Sequence, residues 1–291
     1  MNIKDWIEAT RPKTLAAGIV PVLIGNSVAY SDGKFNLFFA FITLICSVLI
    51  QIITNFFNEV YDFKKGADSY NRIGPKRQVA SGDISPKIML LTSYLLLVLT
   101  FGLGLILVNH SGIEILIVGV VSLIFSYLYT GGPFPLAYKG LGDIFVFIFF
   151  GIIAVNGSYF IQTGNLSEFS IISSVAPGLL SANILNVNNI RDIYTDPNAG
   201  KITLAYRLGK KNAIRLYWLS TGFCYLSLIL IYELSGDLIL LLPFLSFPLA
   251  VKLCFDINNK TCRELNGVLA ATGLLLLIYG ILSSLSFILM K

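Results

Sequence analysis

The sequence predicts an all-α protein, a polytopic membrane bundle of about nine transmembrane helices with a parallel internal repeat, and three observations predict it. The 291 residues are 55% hydrophobic and only 13% charged, whereas a soluble domain carries about 25% charged residues. A window of about 20 residues crosses roughly 30 Å of hydrocarbon. Read with it, the chain divides into apolar stretches at 14–30, 35–57, 88–108, 113–129, 144–160, 170–186, 214–232, 238–254 and 268–290. Threaded through a bilayer, those stretches leave every Lys and Arg except Lys34 and Lys291 on one side. The runs are too long for barrel strands, and backbone in lipid must satisfy its hydrogen bonds within the segment, so helix is the expected structure.

The first stretch follows the charged, Trp-containing segment Met1–Lys13 and lacks a small-residue cleavage site, so it reads as a retained span and not as a signal peptide. The second runs into the first long polar loop, 58–87. The third and fourth lie either side of His110, a surface residue at the outer boundary, and Gly102 and Gly104 in the third suit close helix approach. The fifth follows a turn rich in Gly and Pro, and its Gly151 and Gly157 are read in the same way. Pro177 and Gly178 in the sixth fit either a bend or packing. That span leads into the second long loop, 187–213, and three further spans complete the chain. Cys46, Cys224, Cys254 and Cys262 have no metal-cage or disulfide spacing and read as packing residues.

This arrangement leaves no room for a separate soluble domain. The chain reads as one transmembrane domain over 1–291, with functional loops near 58–87, 130–143 and 187–213 on the basic side. The positive-inside rule makes that side cytoplasmic, with the amino terminus inside and the carboxyl terminus outside. Because the bases are mixed with acids and sit beside spans, nucleic acid is excluded as the partner; the lipid bilayer is the expected one.

The long loops carry the chemistry. In the first, Asn58 and Asp62 are four residues apart and share one helical face, and Gly66 can end that helix and let Asp68 rejoin the group. In the second, Asn188, Asp192 and Asp196 stack on one helical face. The two segments form a weak repeat separated by four spans. An even number of spans brings both acidic clusters out on the same side, where they can face each other across one cavity. Carboxylate and amide oxygens at this spacing suit Mg²⁺, which takes one or two protein carboxylates plus phosphate oxygens. The flanking Lys64, Lys65, Arg72, Lys76, Arg77, Arg191 and Lys201 point to a metal-bridged pyrophosphate. A solvated helix end is the plain alternative for either cluster alone; their pairing favours the site.

Together these residues resemble the two aspartate-rich motifs of the UbiA-type intramembrane aromatic prenyltransferases. Three stretches narrow the resemblance to the 1,4-dihydroxy-2-naphthoate polyprenyltransferases of menaquinone synthesis: Arg11-Pro-Lys-Thr14, Tyr129-Thr-Gly-Gly-Pro133 through Asp143, and Asn188 through Asp196 to Gly200-Lys201-x-Thr203. Asp143 stands where such proteins more often have Glu. The resemblance implies an enzyme of the bacterial cell membrane. It would transfer the chain of a polyprenyl diphosphate to 1,4-dihydroxy-2-naphthoate, releasing pyrophosphate and carbon dioxide to give demethylmenaquinone.

On that reading Asp62, Asp68, Asp192 and Asp196 are catalytic and, with Asn58 and Asn188, hold two Mg²⁺ ions. Lys13, Arg72, Lys76, Arg77 and Lys201 contact the diphosphate. The 129–143 loop, with Tyr129, Tyr138 and Asp143, caps the reacting centre or meets the aromatic substrate, with membrane anchoring as the alternative for the tyrosines. Three other readings stay open at this point: a different acceptor such as 4-hydroxybenzoate or homogentisate, a secondary transporter, and a scaffold.

Overall fold

A computed structural model describes residues 2–68 and 73–290, and these form helices joined by loops, without strands among the described residues. The order is α1 (Ile3–Ala9), α2 (Ala16–Ser31), α3 (Leu37–Lys64), α4 (Pro86–Ser111), α5 (Ile113–Leu128), α6 (Gly142–Thr163), α7 (Glu168–Arg191), α8 (Lys210–Ser235), α9 (Leu238–Asn259) and α10 (Cys262–Leu289). Among the described residues, α3, α4, α6, α7, α8, α9 and α10 are each long and apolar enough to cross a membrane. The segment Ile3–Thr14 with α2 makes an eighth if that pair, bent by 55°, is one span. At 16 residues, the same length as α2 but with no bent partner, α5 is a shorter apolar helix. Each of the nine expected stretches thus overlaps a helix, and the count depends on how the bent pair and α5 are taken.

The bend before α2 has a local cause. Arg11 adopts a left-handed backbone, with φ 55°, and Pro12 follows it, so the α1 helix cannot continue through this point. Beyond the bend, α2 is buried over most of its length and packs against α3, α6 and α10. Small residues permit the close approach. A Cβ on Gly25 would collide with the Val155 carbonyl of α6, and one on Gly280 of α10 would collide with Val20. Gly151 and Gly178 likewise bring α6 against α7. Gly102, Gly104 and Gly157, also expected at close approaches, have nothing within 4 Å of such a Cβ. Gly104 and Gly157 line a cavity instead.

Helix α7 is held by amides. Asn183 donates to the Tyr217 carbonyl at 3.3 Å and to Thr221 at 3.1 Å, and Asn186 donates to the Ala213 carbonyl at 2.8 Å. Polar groups in lipid are satisfied by neighbouring helices in this manner, which fixes the rotation of α7 against α8. His110 is exposed and stacks on Phe39 with ring centroids 3.6 Å apart.

Candidate functional site

Helix α3 delivers the first motif. It ends where expected: Gly66 has φ 74°, and the Ala67 amide bonds back to the Asp62 carbonyl at 2.9 Å. Asn58 and Asp62 are both buried and both line the principal cavity. Asp68 is brought back towards them and meets Arg77, whose Nε lies 3.3 Å from Asp68 Oδ2.

The second motif departs from the expected single helical face. Helix α7 stops at Arg191, Asp192 caps it, and Asp196 opens a separate short turn, Asp196–Ala199. Pro197 accounts for the change, because it lacks an amide donor and disfavours helical backbone at the residue before it. The Asp196 amide still reaches the Asp192 carbonyl at 2.9 Å, which keeps the two acids close in the chain's path. Arg191 folds onto Asp192, with Nε 2.8 Å from Oδ1 and Nη2 2.5 Å from Oδ2, and also reaches Asn188 at 2.8 Å and Asn266 at 2.7 Å. Lys201 lies 3.6 Å from Asp196.

The loop between α5 and α6 ties the motifs together. Thr130 donates to Asn58 at 2.8 Å, and Lys65 donates to the Thr130 carbonyl at 2.7 Å. Tyr138 donates to Asp62 Oδ1 at 2.8 Å, while the Ile202 amide, just past Lys201, bonds to the Tyr138 carbonyl at 3.1 Å. The Tyr138 ring carries Lys65 Nζ at 4.3 Å and Lys201 Nζ at 5.9 Å from its centroid. It is 5% exposed, so it does not serve as a membrane anchor. Burial draws the Lys65 ammonium below its usual pKa, with the charge of Asp62 opposing the shift. Gly131 is required here: a Cβ would run into Tyr127.

One cavity joins these parts. Its polar end is lined by Arg11, Asn58, Asp62, Arg77, Asn188 and Lys201, with Tyr129 and Asp143. From there it follows α3 back to Thr43, roughly 28 Å at 1.5 Å per residue, between apolar residues of α4, α5 and α6 such as Leu107, Ile115 and Phe149.

Other expected site residues are placed differently. Lys13 is exposed and outside the cavity lining; Arg11, two residues earlier, takes the lining position. Lys76 is also outside it, 2.6 Å from Asp83 on the surface, and that bond holds the Asp83 carboxyl below the usual carboxylate range. Arg72 lies outside the described residues. Among the described residues, no three His, Cys, Asp or Glu side chains gather closely enough to hold a metal by themselves.

Glu59 is a site-building residue that the motif spacing did not reveal. It is buried and lies 3.7 Å from Arg11 and 3.4 Å from Arg77, and it accepts the Val79 amide at 3.2 Å. It therefore fixes both guanidinium groups at the cavity wall. Its one sequence signal is an acid near the end of a long, mostly apolar helix, and an ionisable residue in a membrane segment by default marks function.

Fold and site together define a membrane-embedded helical protein with a cavity that is cationic and carboxylate-lined at the mouth and apolar beyond. The UbiA prenyltransferase family model matches residues 18–272. The chain is 33% identical to a 1,4-dihydroxy-2-naphthoate octaprenyltransferase of Haemophilus influenzae, over 99% of this chain and 96% of that protein. It is 39% identical to the protein of the same description from Escherichia coli, over 73% and 71%. Among solved structures, a UbiA homolog from Archaeoglobus fulgidus bound to DMAPP and Mg²⁺ superposes with a TM-score of 0.67 at 15% identity, covering 96% of this chain and 99% of that one. The chain belongs to the UbiA prenyltransferase family, and it is an enzyme, an integral membrane prenyltransferase.

Proposed function

We propose that this aromatic prenyltransferase moves the chain of a polyprenyl diphosphate onto 1,4-dihydroxy-2-naphthoate, with loss of pyrophosphate and carbon dioxide, giving demethylmenaquinone in its hydroquinone form. One observation carries the reading: the same cavity joins a mouth lined by Arg11, Arg77, Lys201, Asn58 and Asp62 to a long apolar arm. That shape matches a molecule with a charged head and an isoprenoid tail. The names of the relatives support the acceptor.

The donor set suits Mg²⁺. Asn58, Asp62 and Asn188 offer hard oxygen atoms at the cavity wall, and Asp68, Asp192 and Asp196 stand beside Arg77, Arg191 and Lys201. A metal cage made of protein alone is not needed, because Mg²⁺ keeps water and completes its shell with phosphate oxygens. These six residues would hold two ions with the diphosphate; the archaeal neighbour bound to DMAPP and Mg²⁺ supports Mg²⁺ alongside a prenyl diphosphate in this fold. When bound, Mg²⁺ offsets the negative charge that grows on the departing diphosphate.

The remaining work falls to the chain. Arg11 and Arg77, fixed by Glu59, and Lys201 beside Asp196 present positive charge before reaction begins, so little reorganisation is required as the allylic C–O bond breaks and its electron pair leaves with pyrophosphate. The 129–143 loop covers the mouth through its bonds to Asn58 and Asp62, keeping water from the allylic cation. The carbon bearing the naphthoate carboxyl group attacks that cation. Loss of carbon dioxide then restores the aromatic ring.

The bacterial relatives support a setting in the bacterial cell membrane, and the placement of the basic residues supports a cytoplasmic mouth and amino terminus with the carboxyl terminus outside. Purified protein should be given Mg²⁺, a polyprenyl diphosphate and a panel of the naphthoate, 4-hydroxybenzoate and homogentisate, with products identified by mass. Prenylated product from the naphthoate alone is expected. Equal product from 4-hydroxybenzoate overturns the acceptor assignment.

A further inference from the structure

The carboxylates of the two motifs all meet a cation or a phenol: Asp62 meets Tyr138, Asp68 meets Arg77, Asp192 meets Arg191 and Asp196 meets Lys201. Asp143 differs. It is 7% exposed and lines the same cavity, yet its carboxylate meets only its own backbone amide and makes no hydrogen bond or ion pair with another of the described residues. One backbone amide leaves most of the hydrogen-bonding capacity of a buried carboxylate unmet, which is costly in general, so its retention calls for a partner that arrives with a ligand.

Its position tells which part of the ligand that is. Asp143 lies in the first turn of α6, directly after the loop that binds Asn58 and Asp62 through Thr130 and Tyr138. Next to it, Gly142 is pressed by the Tyr129 hydroxyl and by Leu185, so that side of the cavity presents an aromatic ring, an aliphatic side chain and one acid. No Lys or Arg pairs with Asp143, which makes it a poor seat for an anion such as diphosphate or a carboxylate. A largely apolar wall carrying one carboxylate and one phenol suits the hydroxyl of an aromatic ring.

We infer that Asp143 is the acceptor-side proton carrier: its carboxylate accepts a hydrogen bond from the naphthoate hydroxyl next to the carboxylated carbon and takes that proton as the new C–C bond forms. This inference rests on the proposed acceptor and deepens it. The balance closes within the site. The hydroxyl O–H bond breaks, its electrons form a ring carbonyl, and the π electrons so displaced make the bond from the carboxylated carbon to the allylic carbon. The product of that step is a β-keto carboxylate. Its C–C bond to the carboxyl group then breaks, carbon dioxide departs, and the resulting enolate recovers the proton from Asp143. The acid returns to its starting form, and no oxidant or external base is consumed.

The test compares the parent with Asp143→Asn and Asp143→Glu in detergent, reading naphthoate prenylation, the KM of each substrate, and affinity for a non-hydrolysable thio analogue of the donor. Asp143→Asn should bind the analogue like the parent and leave the donor KM unchanged, while kcat falls at least about 100-fold, the scale of a positioned proton carrier. Asp143→Glu should recover most of that loss. Turnover of Asp143→Asn within about threefold of the parent, or equal loss of analogue binding and turnover, overturns the inference. If the parent itself leaves the naphthoate unprenylated, the acceptor assignment fails instead, so the two failures are distinguishable.

Discussion

The phenol of Tyr138 donates a 2.8 Å hydrogen bond to Asp62 Oδ1, joining the loop that covers the cavity mouth to the central acid of the first motif. The same ring carries Lys65 and Lys201, one from the end of the first motif and one from beyond the second. Hydrogen bonds to charged groups contribute about 1.5–3 kcal/mol. Tyr138→Phe should therefore lower kcat/KM by at least about tenfold, raise the Mg²⁺ concentration needed for half-maximal rate, and increase prenyl alcohol formed by hydrolysis relative to transfer. Product analysis by chromatography reads all three, and an unchanged alcohol-to-product ratio would count against a water-excluding loop.

Glu59 holds Arg11 and Arg77 from a buried position, so removing its charge leaves two guanidinium groups facing each other without their shared partner. Losing one member of a buried ion network costs about 3–5 kcal/mol. Glu59→Ala should lower the apparent melting temperature in detergent and weaken donor binding, whereas Glu59→Asp, shorter but still anionic, should lose less of both. A melting curve equal to that of the parent would show that the arginines are held by other groups.

Arg77 and Lys76 are neighbours in sequence with opposite expectations. Arg77 lines the cavity and contacts Asp68 and Glu59, while Lys76 faces outward to Asp83. Arg77→Ala should raise the donor KM at least about tenfold, in keeping with the loss of a charge-assisted contact. Lys76→Ala should leave it within about twofold, since exposed ion pairs contribute little. Steady-state kinetics with varied polyprenyl diphosphate separates them.

Helix approach is tested by two glycines. Gly25→Ala would drive a methyl group into the Val155 carbonyl at the α2–α6 crossing, and Gly102→Ala would place one in open space. Overpacking costs about 1–3 kcal/mol, so the first should melt earlier and the second at the parent temperature.

Much of this architecture was legible because lipid imposes simple rules: length and apolarity marked helices, and Gly66 marked the end of α3. Local spacing also placed Asn58 and Asp62 together. It misplaced Asp196, where Pro197 breaks the helical register that spacing alone assumes. Glu59 was hidden for a different reason. It sits one residue from Asn58, hence about 100° around the helix, and its partners Arg11 and Arg77 come from distant segments. The choice of Arg11 over Lys13 depends on a left-handed backbone at Arg11, which residue type does not forecast. Tyr138 reads from sequence as an interfacial ring; its bond to Asp62 exists only once the α5–α6 loop is folded.

The most direct measurement follows carboxyl-labelled 1,4-dihydroxy-2-naphthoate and counts labelled carbon dioxide, pyrophosphate and prenylated product in a single Mg²⁺-dependent turnover. The account predicts equal amounts of all three in the parent, and none in Asp62→Ala or in the parent treated with a chelator. Product that retains the label, or carbon dioxide released without prenylation, would contradict it.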